Sequence, residues 1–344
     1  MAQMFRSLSS QRLGVDLGTA NVLVYLVGEG VIIDEPSVVA VSVQDRRIEA
    51  IGHAAREMVG RTPGSLRVMR PLQDGVIADY LITAAMLRYF IERAAGRHRL
   101  FRPEVMVAVP TGVTTVEQRA VMDAGIAAGA KRVHLIPEPL AAAIGANVPI
   151  SHASGSMVVN LGGGTTEIAV ISLNDIVADC SGSLRVGGNR LDEAIRTYIK
   201  RKYNLMTGDR TAEAIKMRIG SAIVLEPAET MEVRGRDQMQ GLPRTVTITS
   251  DEITEAIAEP VDQIIRGVRS VLEATPPELA ADIIDKGLVM TGGTALLRNL
   301  DKLVARETGV AVHVAETPLL CTVRGTGIAL EHFDVLQKIV ISHP

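Results

Sequence analysis

The sequence predicts an α/β protein with mixed sheets, arranged as two lobes around a cleft. Three observations lead there. The chain has 344 residues, more than one hydrophobic core ordinarily organises and enough for two lobes. Strand-like apolar runs are interleaved with segments of helical periodicity, the pattern of an α/β chain. A glycine-turn hairpin occurs twice, at a separation far too long for a solenoid repeat.

The elements follow in order. Residues 14–27 read as a strand, a glycine turn and a second strand, and 38–43 as another short apolar run. Residues 78–95 carry Leu81, Ala85, Leu87 and Phe90 at helical spacing, with charged residues between. Residues 105–109 form a buried strand ended by Pro110, 115–128 a helix, and 139–146 a helix of small residues. Val15-Asp16-Leu17-Gly18-Thr19-Ala20 then recurs as Val159-Asn160-Leu161-Gly162-Gly163-Gly164, each followed by an apolar strand, 22–27 and 168–171. The echo fits a duplicated domain with one hairpin per lobe; two hairpins arising independently would leave the same trace. Residues 233–248, with Gly235, Gly241 and Pro243, read as an irregular insertion containing strands. No low-complexity linker interrupts the chain, so several chain crossings join the lobes.

Composition narrows the function. Hydrophobic residues are 47% and aromatics 3%, with no Trp, so the core must be aliphatic. Lys plus Arg is 36 against Asp plus Glu 39, net −3, which argues against a nucleic-acid binder. Cys180 and Cys321 stand far apart and make neither a metal set nor a disulfide framework, which fits a reducing, cytoplasmic compartment. His53, His134, His152 and His313 show no metal spacing and read as surface or satisfied core residues. No signal peptide is visible, and no apolar run approaches the ~20 residues of a spanning helix. The expectation is a soluble or peripheral protein.

Three glycine turns carry the chemistry. In Asp16-Leu17-Gly18-Thr19-Ala20-Asn21, Gly18 lets backbone N–H groups approach an anion, Thr19 and Asn21 add side-chain donors, and Asp16 could hold a hydrated Mg²⁺ through water. Alone this turn is equally compatible with a tight structural hairpin. Gly162-Gly163-Gly164-Thr165-Thr166 is the stronger signal, because three consecutive glycines weaken a strand unless something must approach its backbone. A phosphate chain is the obvious candidate, a flexible turn the bland one. Thr291-Gly292-Gly293-Thr294-Ala295 follows a strand at 287–290 and precedes a helix expected to begin near Leu296, a placement suited to close packing on adenine or ribose. Neither a Walker-type lysine loop nor a dinucleotide glycine fingerprint is present.

With the helix Pro137-Glu138-Pro139-Leu140-Ala141-Ala142-Ala143-Ile144-Gly145, the paired hairpins and the late glycine turn resemble the actin, Hsp70 and sugar-kinase superfamily. Within it the chain resembles the MreB family over nearly its whole length, through Gly18-Thr19-Ala20-Asn21, Glu35-Pro36-Ser37-Val38-Val39-Ala40, Arg70-Pro71, Asp74-Gly75-Val76-Ile77-Ala78-Asp79, Thr211-Ala212-Glu213-Ala214-Ile215-Lys216, Gly241-Leu242-Pro243-Arg244 and Arg324-Gly325-Thr326-Gly327. The resemblance implies an actin-like ATPase fold, two lobes of duplicated ribonuclease-H-like domains around a nucleotide cleft, each with a smaller subdomain. It places the lobe I core at 1–32, 65–145 and 315–344 and its small subdomain at 33–64. The lobe II core falls at 146–181 and 250–314 and its small subdomain at 182–249. It implies ATP and Mg²⁺ as cofactors, with no direct protein cage for the metal. Gly18, Thr19, Ala20, Asn21, Gly162, Gly163, Gly164 and Thr165 would bind the β- and γ-phosphates. Glu213, Ala214, Ile215, Lys216, Gly292, Gly293, Thr294 and Ala295 would enclose ribose and adenine. Glu138 would orient the attacking water, with Asp16 and Asn160 beside it; a carboxylate at a helix start is also simply favoured by the helix dipole. Three residues depart from the family pattern: Asn160 and Asn189 stand where Asp is usual, and Pro137 where Glu is usual. The expectation is that ATP still binds and that any hydrolysis is slow.

Met1, Met4, Phe5 and Leu8 fall at i, i+3, i+4, i+7 with Arg6 and Arg12 nearby, the pattern of a short amphipathic membrane anchor; chance clustering at a frayed terminus gives the same spacing. Leu100-Phe101 lies in the basic stretch Arg97-His98-Arg99-Leu100-Phe101-Arg102, suited to anionic headgroups, and the resembled family inserts an apolar loop at this place. The expected function is a cytoskeletal ATP-binding protein, cytoplasmic and peripheral on the inner face of the cell membrane. Its filaments, antiparallel and double by resemblance, would guide wall synthesis and cell shape together with membrane-bound elongation and wall-synthesis proteins. Two alternatives stay open at this stage: a nucleotide-binding paralogue with weak hydrolysis that modulates other filaments, and a small-molecule kinase of the same fold.

Overall fold

Two sheets with the same strand plan organise the chain. The computed structural model describes residues 11–96, 102–336 and 340–342. The expected membrane residues Met1, Met4, Phe5, Leu8, Leu100 and Phe101 lie outside them. In the first sheet, Arg12–Leu17 pairs antiparallel with Asn21–Leu26, which pairs antiparallel with Gly30–Pro36. On its other side Arg12–Leu17 runs parallel to Glu104–Val109, and that strand parallel to Arg132–Pro137. A short strand, Ile341–Ser342, closes this edge. In the second sheet, Ser156–Leu161 pairs antiparallel with Thr166–Ser172, which pairs antiparallel with Asp175–Leu184. On its other side it runs parallel to Leu288–Thr291, and that strand parallel to Val312–Val314. Three antiparallel strands followed by two parallel ones, twice over, is the duplication that the hairpin echo implied. Asp16 and Asn160 occupy the same penultimate position of the two central strands.

These strands are apolar on both faces because helices cover both. Ser156–Leu161 is buried at every position. Leu13, Val15, Val22, Val24, Val105 and Val107 join Leu87, Phe90 and Ile91 in one core; Val159, Leu161, Ile168 and Val170 join Ile253, Ile257, Ile264 and Val268 in another. The core is aliphatic, as composition required. A third cluster draws Met106, Ala108 and Ile136 from the first sheet and Val158, Ala169 and Ile171 from the second around Leu140–Ala143.

Local sequence sets the element ends. Thr114 and Thr249 form reciprocal capping boxes with Glu117 and Glu252, starting the helices Thr115–Ala127 and Ser250–Ala274. Asp79 caps Tyr80–Ala95 by accepting from the Ile82 N–H. Three small sheets complete the fold: Val39–Ser42 between Ile48–Ile51 and Leu66–Met69, Leu205–Met206 beside the hairpin Thr230–Asp237 and Pro243–Thr249, and the pair Leu72–Gln73 with Val76–Ile77.

Three expectations are corrected. Leu81 is not on the buried face of its helix: it is 71% exposed, and Ile82, Met86, Leu87, Phe90 and Ile91 form that face, because the capped start at Asp79 sets its rotation. The 233–248 insertion is a regular hairpin, its turn closed by Asp237, which accepts from the Met239 and Gln240 N–H groups and pairs with Arg244. After the third glycine turn a 3₁₀ turn, Gly293–Leu296, comes first, and the helix starts at Leu300. Gly292 at φ +81° and Asn299 at φ +58° bend the chain twice, so continuous helix cannot form between them.

The helix Glu138–Gly145 crosses Cys321–Glu331 at van der Waals distance of the backbones. A Cβ on Gly145 would overlap the Cys321 carbonyl oxygen, and one on Gly325 the Ala141 carbonyl oxygen. Gly325→Ala must push the helices apart and is expected to destabilise by about 3 kcal/mol in urea unfolding. Gly64→Ala, whose Cβ meets nothing within 4 Å, should change stability by no more than about 1 kcal/mol. Equal effects of the two would show that the crossing is not tightly packed.

Candidate functional site

The two glycine hairpins face each other. A Cβ on Gly163 would sit 2.6 Å from Ala20 Cβ, and one on Gly164 2.6 Å from Thr19 Oγ1. Only backbone fits between them, which explains the glycine run physically. Around this contact opens a cleft of about 450 Å³. Gly18, Thr19, Ala20 and Asn21 line it from one half, Gly162 to Thr165 from the other, with Asp16, Glu138 and Asn160 at the ends of their elements and Gly292, Gly293, Thr294, Glu213 and Lys216 further along.

Three residues expected in the cleft do not line it. Ile215 is fully buried in the core of the second half, one helical step from Glu213 and Lys216. Ala214 is exposed and absent from the lining, and Ala295 packs into the same core as Ile215. Nor does Asn21 aim its amide inward: Nδ2 donates to Asp34 Oδ1 at 3.0 Å.

Hydrogen bonds fix the lining. The Gly75 N–H donates to Thr19 Oγ1 at 3.0 Å, bracing the first turn. Thr294 Oγ1 donates to the Gly162 carbonyl at 2.8 Å and ties the third turn to the second. The helix Gly188–Tyr203 points its N-terminus at the cleft, its Gly188 and Asn189 N–H groups donating to the carbonyls of Gly162 and Gly163 at 3.1 and 2.8 Å. Lys216 Nζ pairs with Asp192 Oδ1 at 2.9 Å and donates to the Gly188 carbonyl at 2.9 Å. Across the mouth, Arg56 Nη2 meets Glu213 Oε2 at 2.5 Å, joining the helices of two small sheets. Arg56, Asp192, Met217, Leu297 and Arg298 line the cleft without having been singled out from sequence; no local motif marks them.

At the inner end three carboxylates gather. Glu167 is completely buried, accepting from the Thr111 N–H at 2.9 Å, Thr111 Oγ1 at 2.7 Å and Ser183 Oγ at 2.6 Å. Thr111 belongs to the first half, so Glu167 stitches the halves together. A lone acid inside the apolar run 166–171 was its readable signal. Burial holds Glu138 well above the ordinary carboxylate value, the charges of Glu167 and Asp16 add to that, and a hydrogen bond from Asn160 opposes it. Burial alone pushes Asp16 up to about 7. Among the described residues no three His, Cys, Asp or Glu side chains converge as a metal cage.

The arrangement can cradle an anion between two backbone turns, with the positive end of a helix dipole behind them, and place a carboxylate beside it. The family model described as MreB/Mbl protein matches residues 10–338. The cell shape-determining protein MreB of Escherichia coli (strain K12) is 51% identical over 341 residues, 97% of each chain. A crystal structure of MreB5 of Spiroplasma citri bound to ADP superposes with a TM-score of 0.90 at 37% identity, covering 96% of this chain and 99% of that one. The same protein bound to AMPPNP gives 0.90, 37%, 96% and 98%.

Because its carboxyl is raised from 3.8 to about 7, Asp16 binds a proton more tightly folded than unfolded. Its contribution is present below about pH 4 and lost as pH rises to 7. The thermal midpoint of nucleotide-free Asp16→Asn should therefore gain on wild type across pH 4–7 and hold that gain above. A pH-independent difference between the two would contradict the raised carboxyl.

Proposed function

The chain belongs to the MreB/Mbl family, and on that premise we propose that it is an ATP-binding, actin-like cytoskeletal protein whose membrane-associated filaments determine cell shape. The observation that carries this reading is the facing pair of glycine turns around a cleft lined from both halves, together with the ADP bound to MreB5 of Spiroplasma citri. We read lobe cores at 1–32, 65–145 and 315–344 and at 146–181 and 250–314, with small subdomains at 33–64 and 182–249; the sheets move three of these edges, since Gly30–Pro36 and Asp175–Leu184 belong to the large sheets and Leu66–Met69 to a small one.

ATP, when bound, supplies the phosphoanhydride bond. The turns at Gly18–Asn21 and Gly162–Thr165 hold its phosphates by backbone N–H groups, Glu213 and Lys216 face the ribose, and Gly292, Gly293 and Thr294 border the base. Asp16 fits a Mg²⁺ held through its waters, since a cation nearby would offset the desolvation of that buried carboxylate. Glu138, on a rigid helix start, aligns water for a slow hydrolysis. Cleft closure on ATP favours the polymer, which we read as antiparallel double filaments. The helical spacing of Met1, Met4, Phe5 and Leu8, and Leu100-Phe101 in its basic stretch, support attachment to the cytoplasmic face of the membrane. Each copy contributes weakly and the filament gains by avidity. Among the described residues no helix is long and apolar enough to cross a membrane. Membrane-bound elongation proteins and wall synthases are the partners this reading names.

Electron microscopy with Mg-ATP on anionic liposomes tests it. Lipid-bound filaments are expected; soluble monomers that bind ATP without polymer would overturn it. Phe101→Glu should lower liposome co-sedimentation severalfold, and Glu138→Gln should slow phosphate release by about 10²-fold or more while ATP still binds.

A further inference from the structure

Asn160 stands on the central strand of the second sheet, beside Glu167 on one neighbouring strand and Thr291 on the other. Its side chain is 4% exposed. Thr291 Oγ1 donates to Asn160 Oδ1 at 3.2 Å, which leaves Nδ2 facing Glu138 and donating to Oε2 at 3.2 Å. The reverse orientation would set Oδ1 against a carboxylate oxygen and leave two acceptors in contact. Glu138 faces charged groups from two further strands, Asp16 and Glu167. Both are acids and repel its negative form, and Glu167 is already saturated by Thr111 and Ser183. Among the described residues the Asn160 amide is the hydrogen-bond donor found on the Glu138 side chain.

We propose that Asn160 is a positioning residue for Glu138: its amide, oriented by Thr291, anchors Oε2 and leaves the other carboxylate oxygen to address the cleft. This rests on the reading of Glu138 as the group that aligns water, and it reverses the expectation that an amide at this place simply loses a function. A neutral donor stabilises the charged carboxylate without a titratable proton of its own. An acid at the same position would sit about 3 Å from Oε2, and the two carboxyls would share one proton between them, as like charges so close cannot both ionise.

Three full-length proteins test this: wild type, N160A and N160D, each assayed for Mg-ATP turnover from pH 5.5 to 9 and for thermal midpoint without nucleotide from pH 4 to 8. N160A should lower kcat about tenfold, with KM for ATP within about twofold. In N160D the rising limb of kcat should move up by about one pH unit or more. Its midpoint should fall relative to wild type as pH rises, because a carboxyl with a raised folded value loses stability in that direction; N160A, which only removes the donor that lowers Glu138, should fall in the same direction by less. An N160D profile with an unmoved limb and a pH-independent offset overturns the proposal, as does N160A turnover equal to wild type. If wild type binds ATP and never hydrolyses it, the reading of Glu138 falls separately, and the melting series still decides whether Asn160 holds the Glu138 charge.

Discussion

The constraint on which the site depends is the approach of two backbone turns from opposite halves, Gly163 against Ala20 and Gly164 against Thr19. Everything at the site follows from it. Turns that touch bring both central strands to one point, so Asp16 and Asn160, equivalent in the two sheets, end up in the same crevice. The approach is held from behind by Glu167 reaching Thr111 and by the Gly75 N–H on Thr19. At the opposite, outer end Arg56 meets Glu213. That outer pair is half-exposed and weak by comparison with the buried bonds, so the inner end is the fixed one and the mouth the part that can open.

Placing acids at the fixed end has an electrostatic consequence. Asp16 and Glu138 are half-buried at the inner end of the cleft and Glu167 is wholly buried beside them, and desolvation raises the first two. Such a group is unfavourable alone and favourable beside a cation or a hydrogen-bond donor. Glu167 has three donors, Glu138 has the Asn160 amide, and Asp16 is the acid left for a hydrated cation to compensate. The glycines supply the complementary feature, backbone dipoles in the same cleft as the acids, against which an anion can sit.

Much of this was legible in the sequence because strand duplication leaves two periodic apolar runs and two glycine turns, signals local enough to read. Asp16, Asn160, Gly162 to Thr165 and Glu138 are in one cleft as their strand-end and helix-start positions implied. Other features depend on tertiary packing and leave less trace. Taking Glu213 to Lys216 as a block ignored the helical turn, which sends Ile215 into the core while Glu213 and Lys216 face the cleft. Asn21 looked like a donor to the cleft, but the neighbouring strand offers Asp34 first. Arg56 and Asp192 come from elements distant in the chain, and only the closed sheets bring them to the mouth. The start of the helix after Gly292 is not legible in the sequence, because two residues with positive φ, one of them Asn299, cannot be told from ordinary turn residues by composition.

The central claim is that touching backbone turns create the nucleotide site. Equilibrium ATP binding to Gly164→Val, with folding checked by circular dichroism, tests it most directly, since the added side chain must displace Thr19. A folded protein is expected whose ATP affinity falls by about a hundredfold or more, from the loss of two or more anion-binding N–H contacts. Wild-type affinity in that variant would contradict it.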